Sequence, residues 1–358
     1  MNPPGVALDE GVGSDRIGRG RCTANTRCPA GTSAVLKVGP GFLESVGLLV
    51  LETRRRIAVG NKRCAANGKP IDGVVTLLFT PFSPDTTTLD LKSMRRQVDF
   101  VLDAGVSAVV ACGKAGEFEG MTLDETEQVL TAVLEHVAGR VPVGMGIISV
   151  ELDGGMPAAQ VAARCGADFA MVKKLSKKGL REFFLPIAEQ LPVMLYDQTN
   201  EGNLDVEAQV LPLMKECEQI VAVKVSGNVY SFAQIKEEVC DTPLICGWDV
   251  FSLMAYQSGA DGVVAGSAAF MPDREVELHR LAQAGRWDEA RELFYDRMLP
   301  YICFATPDPY AFSASKLLLH WRGIIDSPLT RPPYKNAPEW LQQELYALAH
   351  RMDLTEAG

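Results

Sequence analysis

The feature that most constrains the fold is a short apolar run that recurs eight times after residue 72, each run separated from the next by a longer amphipathic stretch. The runs are Val74–Phe79, Ala108–Ala111, Val143–Ile147, Ala170–Val172, Val193–Leu195, Ile220–Val223, Leu244–Cys246 and Gly262–Ala265. They are rich in Val and Ile and lack strict polar alternation, as strands buried on both faces of a parallel sheet do. Between them Leu91, Met94, Val98, Val101 and Leu102, and then Val129, Leu130, Val133, Leu134 and Val137, recur at helical spacing. The second of these helices opens on Thr122-Leu123-Asp124-Glu125, a capping-box pattern in which hydroxyl and carboxylate satisfy orphan backbone N–H groups. Eight strands at a mean spacing of about 27 residues predict an α/β fold of the (β/α)8 TIM-barrel type. An open doubly wound sheet is the alternative, disfavoured by eight units in a row and by the lack of a GxGxxG turn. Glu275–Ala284, Trp287–Met298, Tyr310–Trp321 and Glu339–Met352 predict additional C-terminal helices.

These boundaries divide the chain into an N-terminal extension (1–72), a barrel (73–298) and a C-terminal helical extension (299–358). The extension carries 11 Lys and Arg against 6 Asp and Glu. It is +5 in a chain of net charge −10, which leaves −15 on the remainder. It reads as a poorly ordered segment, a targeting segment or a start placed too far upstream. Its apolar stretch Val46–Leu51 is too short for a signal or membrane helix.

The acidic balance argues against a nucleic-acid partner, and no apolar run approaches the roughly 20 residues that span a bilayer. Nine cysteines without a CxxC pair and four scattered histidines predict neither a disulfide framework nor a metal site. No cofactor is expected. A reducing, cytoplasmic setting fits the cysteines, with organellar import through the extension as the alternative.

Chemistry in such a barrel belongs at the C-terminal strand ends. Lys224 interrupts the sixth apolar run, where alternation aims it into the barrel. A solitary ammonium there is costly unless paired or neutral. Two readings stand: a structural ion pair, or an amine that attacks a ketone and forms an imine. An ordinary lysine, with pKa about 10.4, is neutral in only about one molecule in two thousand at pH 7, so the second reading needs burial or a neighbouring cation. Tyr196, one strand away, is either a proton shuttle for that amine or a side chain closing the barrel mouth. Cys112-Gly113-Lys114-Ala115-Gly116-Glu117 ends the second run without the spacing of a nucleotide loop. Lys173, at the end of the fourth run, is a second imine candidate. The Lys-rich stretch 173–178 either recognises an acidic substrate or is a solvated run of charge.

From Gly73 onward the sequence resembles the dihydrodipicolinate synthase and N-acetylneuraminate lyase family of Schiff-base barrels. The resemblance rests on Thr80-Pro81-Phe82, on Gly113-x-x-Gly116-Glu117 followed by Met121–Glu125, on Pro192–Tyr196 and on Val223-Lys224-Val225-Ser226-Gly227. Gly247-Trp248-Asp249, Gly259–Gly262 and Met271-Pro272 extend it. It implies a cofactor-free lyase acting on pyruvate or another 2-oxo acid, with Lys224 as the imine lysine and Tyr196 as the phenol of a proton relay. It implies that Gly113, Lys114, Ala115, Gly116 and Glu117 cradle the substrate carboxylate, with Thr80 and Asp249 lining the pocket, and that the protein is a homo-oligomer, a tetramer or dimer. Where the family has two hydroxyl residues this chain has Lys114 and Ala115. The family's aromatic pair after the fourth strand and the arginine used by synthases after the fifth have no match. Lys114 then pairs with the substrate carboxylate, lowers the Lys224 pKa by repulsion, or points outward to Glu117 or Glu119. The loss of the relay hydroxyl leaves a non-catalytic binding or assembly barrel as the competing function.

Overall fold

The structure is a computed structural model in which residues 62–227, 230–305 and 309–355 are described. Eight parallel strands close into a barrel. They are β1 (Gly73–Leu77), β2 (Ala108–Ala111), β3 (Val143–Ser149), β4 (Phe169–Lys174), β5 (Val193–Tyr196), β6 (Ile220–Val225), β7 (Leu244–Cys246) and β8 (Gly262–Ala265). β1 closes the ring by pairing with both β2 and β8, with Val75 opposite Ala108 and Gly73 opposite Gly262. All eight apolar runs are strands. Each crossover carries a helix, from α1 (Leu91–Asp103) and α2 (Leu123–Val137) through α3 (Leu152–Cys165), α4 (Leu180–Ala188), α5 (Leu211–Glu216), α6 (Tyr230–Glu238) and α7 (Ser252–Gln257) to α8 (Pro272–Gln283). The capping box forms: Glu125 N donates to Thr122 Oγ1 at 3.1 Å and Thr122 N to Glu125 Oε2 at 3.0 Å.

Two apolar clusters follow from the period-two geometry of the strands. Val75, Val110, Phe169, Met171, Met194, Ala222, Ile245 and Val264 point inward and fill the barrel. The larger cluster packs the outward faces against the helices. The ring of Phe169 fills its layer because β3 offers no side chain opposite: a Cβ at Gly144 would stand 2.4 Å from that ring. Residues 62–72, expected to belong to the extension, instead fasten to the barrel. Ile71 is fully buried in the inner cluster, and Arg63 Nη1 donates to the carbonyls of Met214, Cys217 and Ile220. The rest of the extension, including Val46–Leu51, lies outside the described residues.

Beyond α8 come α9 (Trp287–Glu292), a wide turn over Leu293–Met298, α10 (Leu299–Ala305), α11 (Ala311–Trp321) and α12 (Glu339–Arg351). These helices turn back over the C-terminal end of the barrel, so the boundary expected at 298 separates segments that share one core. Among the described residues no helix is long and apolar enough to cross a membrane.

Candidate active site

The inward row that places Phe169 and Met171 in the core continues upward on β1, β4, β5 and β6 and on the residues just past β7 and β8. One step above the apolar layers it presents Leu77, Lys173, Tyr196, Lys224, Gly247 and Gly266, and these surround a cavity of about 320 Å³. β5 and β6 set Tyr196 and Lys224 directly opposite one another in register. Lys224 Nζ stands 4.0 Å from the centroid of the Tyr196 ring, and Lys173 Nζ stands 5.1 Å from it. Lys224 is buried, at 3% exposure, yet no carboxylate makes an ion pair with it among the described residues. The structural ion pair is therefore absent at this lysine.

The room for Lys224 comes from Gly247, where a Cβ would fall 2.7 Å from Lys224 Cε and 2.1 Å from Ser226 Oγ. The Tyr196 hydroxyl donates to Gln198 Oε1 at 3.2 Å, and Lys173 Nζ donates to the same oxygen at 3.3 Å. Burial alone raises the Tyr196 phenol. The Lys224 ammonium, with Ser226 and Lys173, outweighs that penalty and holds the phenol below its ordinary value. Burial, reinforced by Lys114 and Lys224, lowers the Lys173 ammonium against the pull of Tyr196. Asp197, next to Tyr196 but buried, accepts Ser226 N–H at 2.8 Å, and desolvation pushes it up to about 6.

The turn after β2 packs against β3, where a Cβ at Gly146 would meet Gly113 Cα at 2.3 Å. Cys112 and Glu117 hold left-handed backbone angles at either end of it. Lys114 and Ala115 face the cavity. The exposed Lys114 has no carboxylate partner among the described residues, so the expectation that it pairs with Glu117 or Glu119 is not met. Glu117 departs furthest from its expected substrate role. It is fully buried behind the turn, with Oε1 2.7 Å from Lys316 Nζ of α11 and Oε2 accepting Arg331 N–H at 2.9 Å. Thr80 is also behind the wall, its hydroxyl donating to Gly116 O at 2.7 Å. Gly113 and Gly116 shape the turn and stand outside the cavity lining. Asp249 does line the cavity, its carboxylate held by the N–H groups of Gly266 at 3.3 Å and Ser267 at 2.7 Å.

Sequence reasoning missed the cover. Ile302 of α10 and Ala311, Phe312 and Ser315 of α11 complete the cavity from the far end of the chain. It also missed Glu275, buried on α8 against Ser267 Oγ and raised to about 8 by burial and by Asp249. The lysine-rich stretch divides. Lys173 enters the cavity and Lys174 is buried under Val150 O and against the Phe183 ring, while Lys178 remains exposed, so solvation accounts for only part of it.

The chain is 30% identical over 271 residues to the 4-hydroxy-tetrahydrodipicolinate synthase of Methanosphaerula palustris, covering 73% of this chain and 92% of that one. It is 30% identical over 302 residues to that of Methanopyrus kandleri, covering 81% and 99%. The crystal structure of dihydrodipicolinate synthase from Aquifex aeolicus superposes with a TM-score of 0.72 at 25% identity, over 80% of this chain and 99% of that one. Residues 70–352 match the Dihydrodipicolinate synthetase family throughout. Barrel, lysine and tyrosine thus stand together in a chain that belongs to the dihydrodipicolinate synthetase family of Schiff-base-forming lyases.

Proposed function

We propose that the protein forms an imine between Lys224 and pyruvate or a related 2-oxo acid, and that Tyr196 moves the protons of that chemistry. The observation that carries this reading is the buried Lys224 side chain, in ion-pair contact with no carboxylate among the described residues, its Nζ 4.0 Å from the centroid of the Tyr196 ring on the wall of one cavity. The neutral amine attacks the ketone carbon to give a carbinolamine. Protonation of its hydroxyl expels water and leaves a cationic imine, which stabilises a carbanion at the adjacent carbon. A phenol held below its ordinary value by neighbouring ammonium groups is suited to exchanging protons at each step.

The substrate carboxylate belongs at the turn after β2, where Lys114, without a carboxylate partner among the described residues, offers a cation beside backbone N–H groups. Fixing that anion presents the ketone to Lys224. Condensation, cleavage and dehydration all pass through the same imine. The substitution of Lys114 and Ala115 for the family's hydroxyl residues sets this chain apart from synthases that use them. Retention of Lys224 and Tyr196 as cross-strand neighbours weighs against a barrel that has lost turnover. Family membership supports a homo-oligomer, which sedimentation velocity tests.

Borohydride reduction in the presence of pyruvate, followed by intact-mass spectrometry and peptide mapping, tests the imine. An adduct on Lys224 that disappears in Lys224→Ala is expected. Tyr196→Phe is expected to slow turnover roughly 10²–10⁴-fold, the usual range for a lost proton-transfer group. Folded protein that yields no adduct, or an adduct on Lys114 or Lys173, overturns the reading.

A further inference from the structure

The cavity holds three lysines, of which the proposed imine uses one and its carboxylate turn a second. Lys173 is left over. It occupies the inward row of β4 directly above Met171 and Phe169, a row that is otherwise apolar, so it has no packing role that an aliphatic residue would not fill better. Its ammonium is partly desolvated and makes one hydrogen bond among the described residues, to Gln198 Oε1 at 3.3 Å, an oxygen that already serves the Tyr196 hydroxyl. An ammonium has three donors, so two find no protein acceptor among the described residues.

Among the described residues no acidic side chain makes an ion pair with this ammonium, although Asp197 pulls on it at longer range. Asp249 is the one carboxylate on the cavity wall among the described residues, and backbone N–H groups of Gly266 and Ser267 hold it. Asp197 is buried below and occupied by Ser226 N–H. By contrast Lys62, Lys174, Lys215, Lys236 and Lys316 each have a carboxylate in ion-pair contact. Lys114 and Lys173 therefore face one small cavity without an ion-pair partner among the described residues, and the carboxylate on its wall is already engaged.

We propose that the substrate carries a second anionic group and that Lys173 binds it, so that the chain is specific for a dianionic 2-oxo acid. This rests on the imine reading above: Lys114 takes the carboxylate beside the ketone, Lys224 takes the ketone carbon, and Lys173, on the other side of Tyr196, takes the distal anion. A carboxylate and a phosphate share the required chemistry. The cavity, about 320 Å³ and at the small end for ligand sites, limits the spacer to a few carbons.

The test compares the half-saturating concentration for borohydride trapping with pyruvate, 2-oxoglutarate and 2-oxo-3-deoxy-6-phosphogluconate in the natural protein, Lys173→Met and Lys173→Arg. Calorimetry with glutarate, which has no ketone, reads the distal site without the imine. Expected is tighter trapping of one dianion than of pyruvate, a loss of about tenfold or more of that preference in Lys173→Met, as a lost charge-assisted contact gives, and its recovery in Lys173→Arg. Preference for the phosphorylated acid over 2-oxoglutarate assigns the distal anion as phosphate, and the reverse assigns a carboxylate. Equal losses for pyruvate and both dianions in Lys173→Met, or no preference for a dianion in the natural protein, overturns the proposal while leaving the imine intact. Glutarate binding that depends on Lys173, with no trapped adduct from any acid, upholds the distal site and rejects the imine. Neither glutarate binding nor trapping rejects both.

Discussion

Replacing Lys316 by Met tests how the C-terminal helices hold the turn after β2. Lys316 Nζ donates to Glu117 Oε1 at 2.7 Å, Thr80 O at 2.9 Å and Leu329 O at 2.6 Å, so all three of its protons are used where neither it nor Glu117 has any exposure. Burial lowers the Lys316 ammonium and raises the Glu117 carboxyl, and each offsets the other's penalty. Met matches the lysine stem, so the cavity contribution is small. What remains is a buried carboxylate with only the Arg331 N–H to satisfy it. Glu117 escapes by taking a proton, and protonating an ordinary carboxyl at pH 7 costs roughly 3–4 kcal/mol. That agrees with the ~3–5 kcal/mol usually lost when one partner of a buried pair is removed.

The sign with pH follows. In Lys316→Met the folded state holds a proton that the unfolded chain releases above its ordinary carboxyl pKa, so the variant gains stability as pH falls. Relative to the natural protein, its deficit shrinks by about 1.4 kcal/mol for each pH unit between 7 and 5. Urea unfolding at pH 7, 6 and 5 measures this, with the double variant Lys316→Met/Glu117→Gln expected to show no such slope. A deficit below about 1 kcal/mol at pH 7, or one that does not change with pH, refutes the reasoning.

Gly247→Ala places a methyl 2.7 Å from Lys224 Cε and 2.1 Å from Ser226 Oγ. It is expected to cost about 1–3 kcal/mol by overpacking and to reduce borohydride trapping more than a stability loss alone explains, which mass spectrometry on the folded variant checks. Asp197 is raised to about 6 by desolvation, so the folded state retains its proton longer than the unfolded chain. Its contribution to stability is present at low pH and is lost as pH rises from the ordinary aspartate value through 6. Asp197→Asn is therefore expected to flatten the stability profile between pH 4 and 6, read by thermal melts, and an unchanged profile would count against the burial argument.

The strands were legible because each buried run is continuous and β-branched, and the barrel because eight such runs recur at one spacing. Leu244–Cys246 and Gly262–Ala265 have the bounds that the apolar pattern predicts. Lys224 and Tyr196 were legible as charged or polar interruptions of an apolar row. The role of Glu117 was not: its partner lies 199 residues away, and no local pattern distinguishes a carboxylate facing substrate from one facing a distant lysine. The cover was hidden for the same reason, since Phe312 and Ser315 sit on a helix whose sequence reads simply as amphipathic. Lys173 was legible as a strand-end lysine, but the stretch 173–178 gave no reason to part it from Lys174; adjacent strand residues point to opposite faces, and only the first reaches the cavity.

The ion pair between Glu117 and Lys316 also imposes an order in time. At a synthesis rate of roughly 5–20 residues per second, the 199 residues between them take about 10–40 s to add. Lys114 is made just before that interval, and Tyr196 and then Lys224 during it, while the turn that carries Lys114 still lacks the ammonium that anchors it from behind. The helix bearing Lys316 also supplies Phe312 and Ser315 to the pocket. A chain stalled or cut short before α11 therefore contains Lys114, Tyr196 and Lys224 but lacks the residues that close the pocket around them, so the pocket is complete only in chains translated through their C-terminal helices.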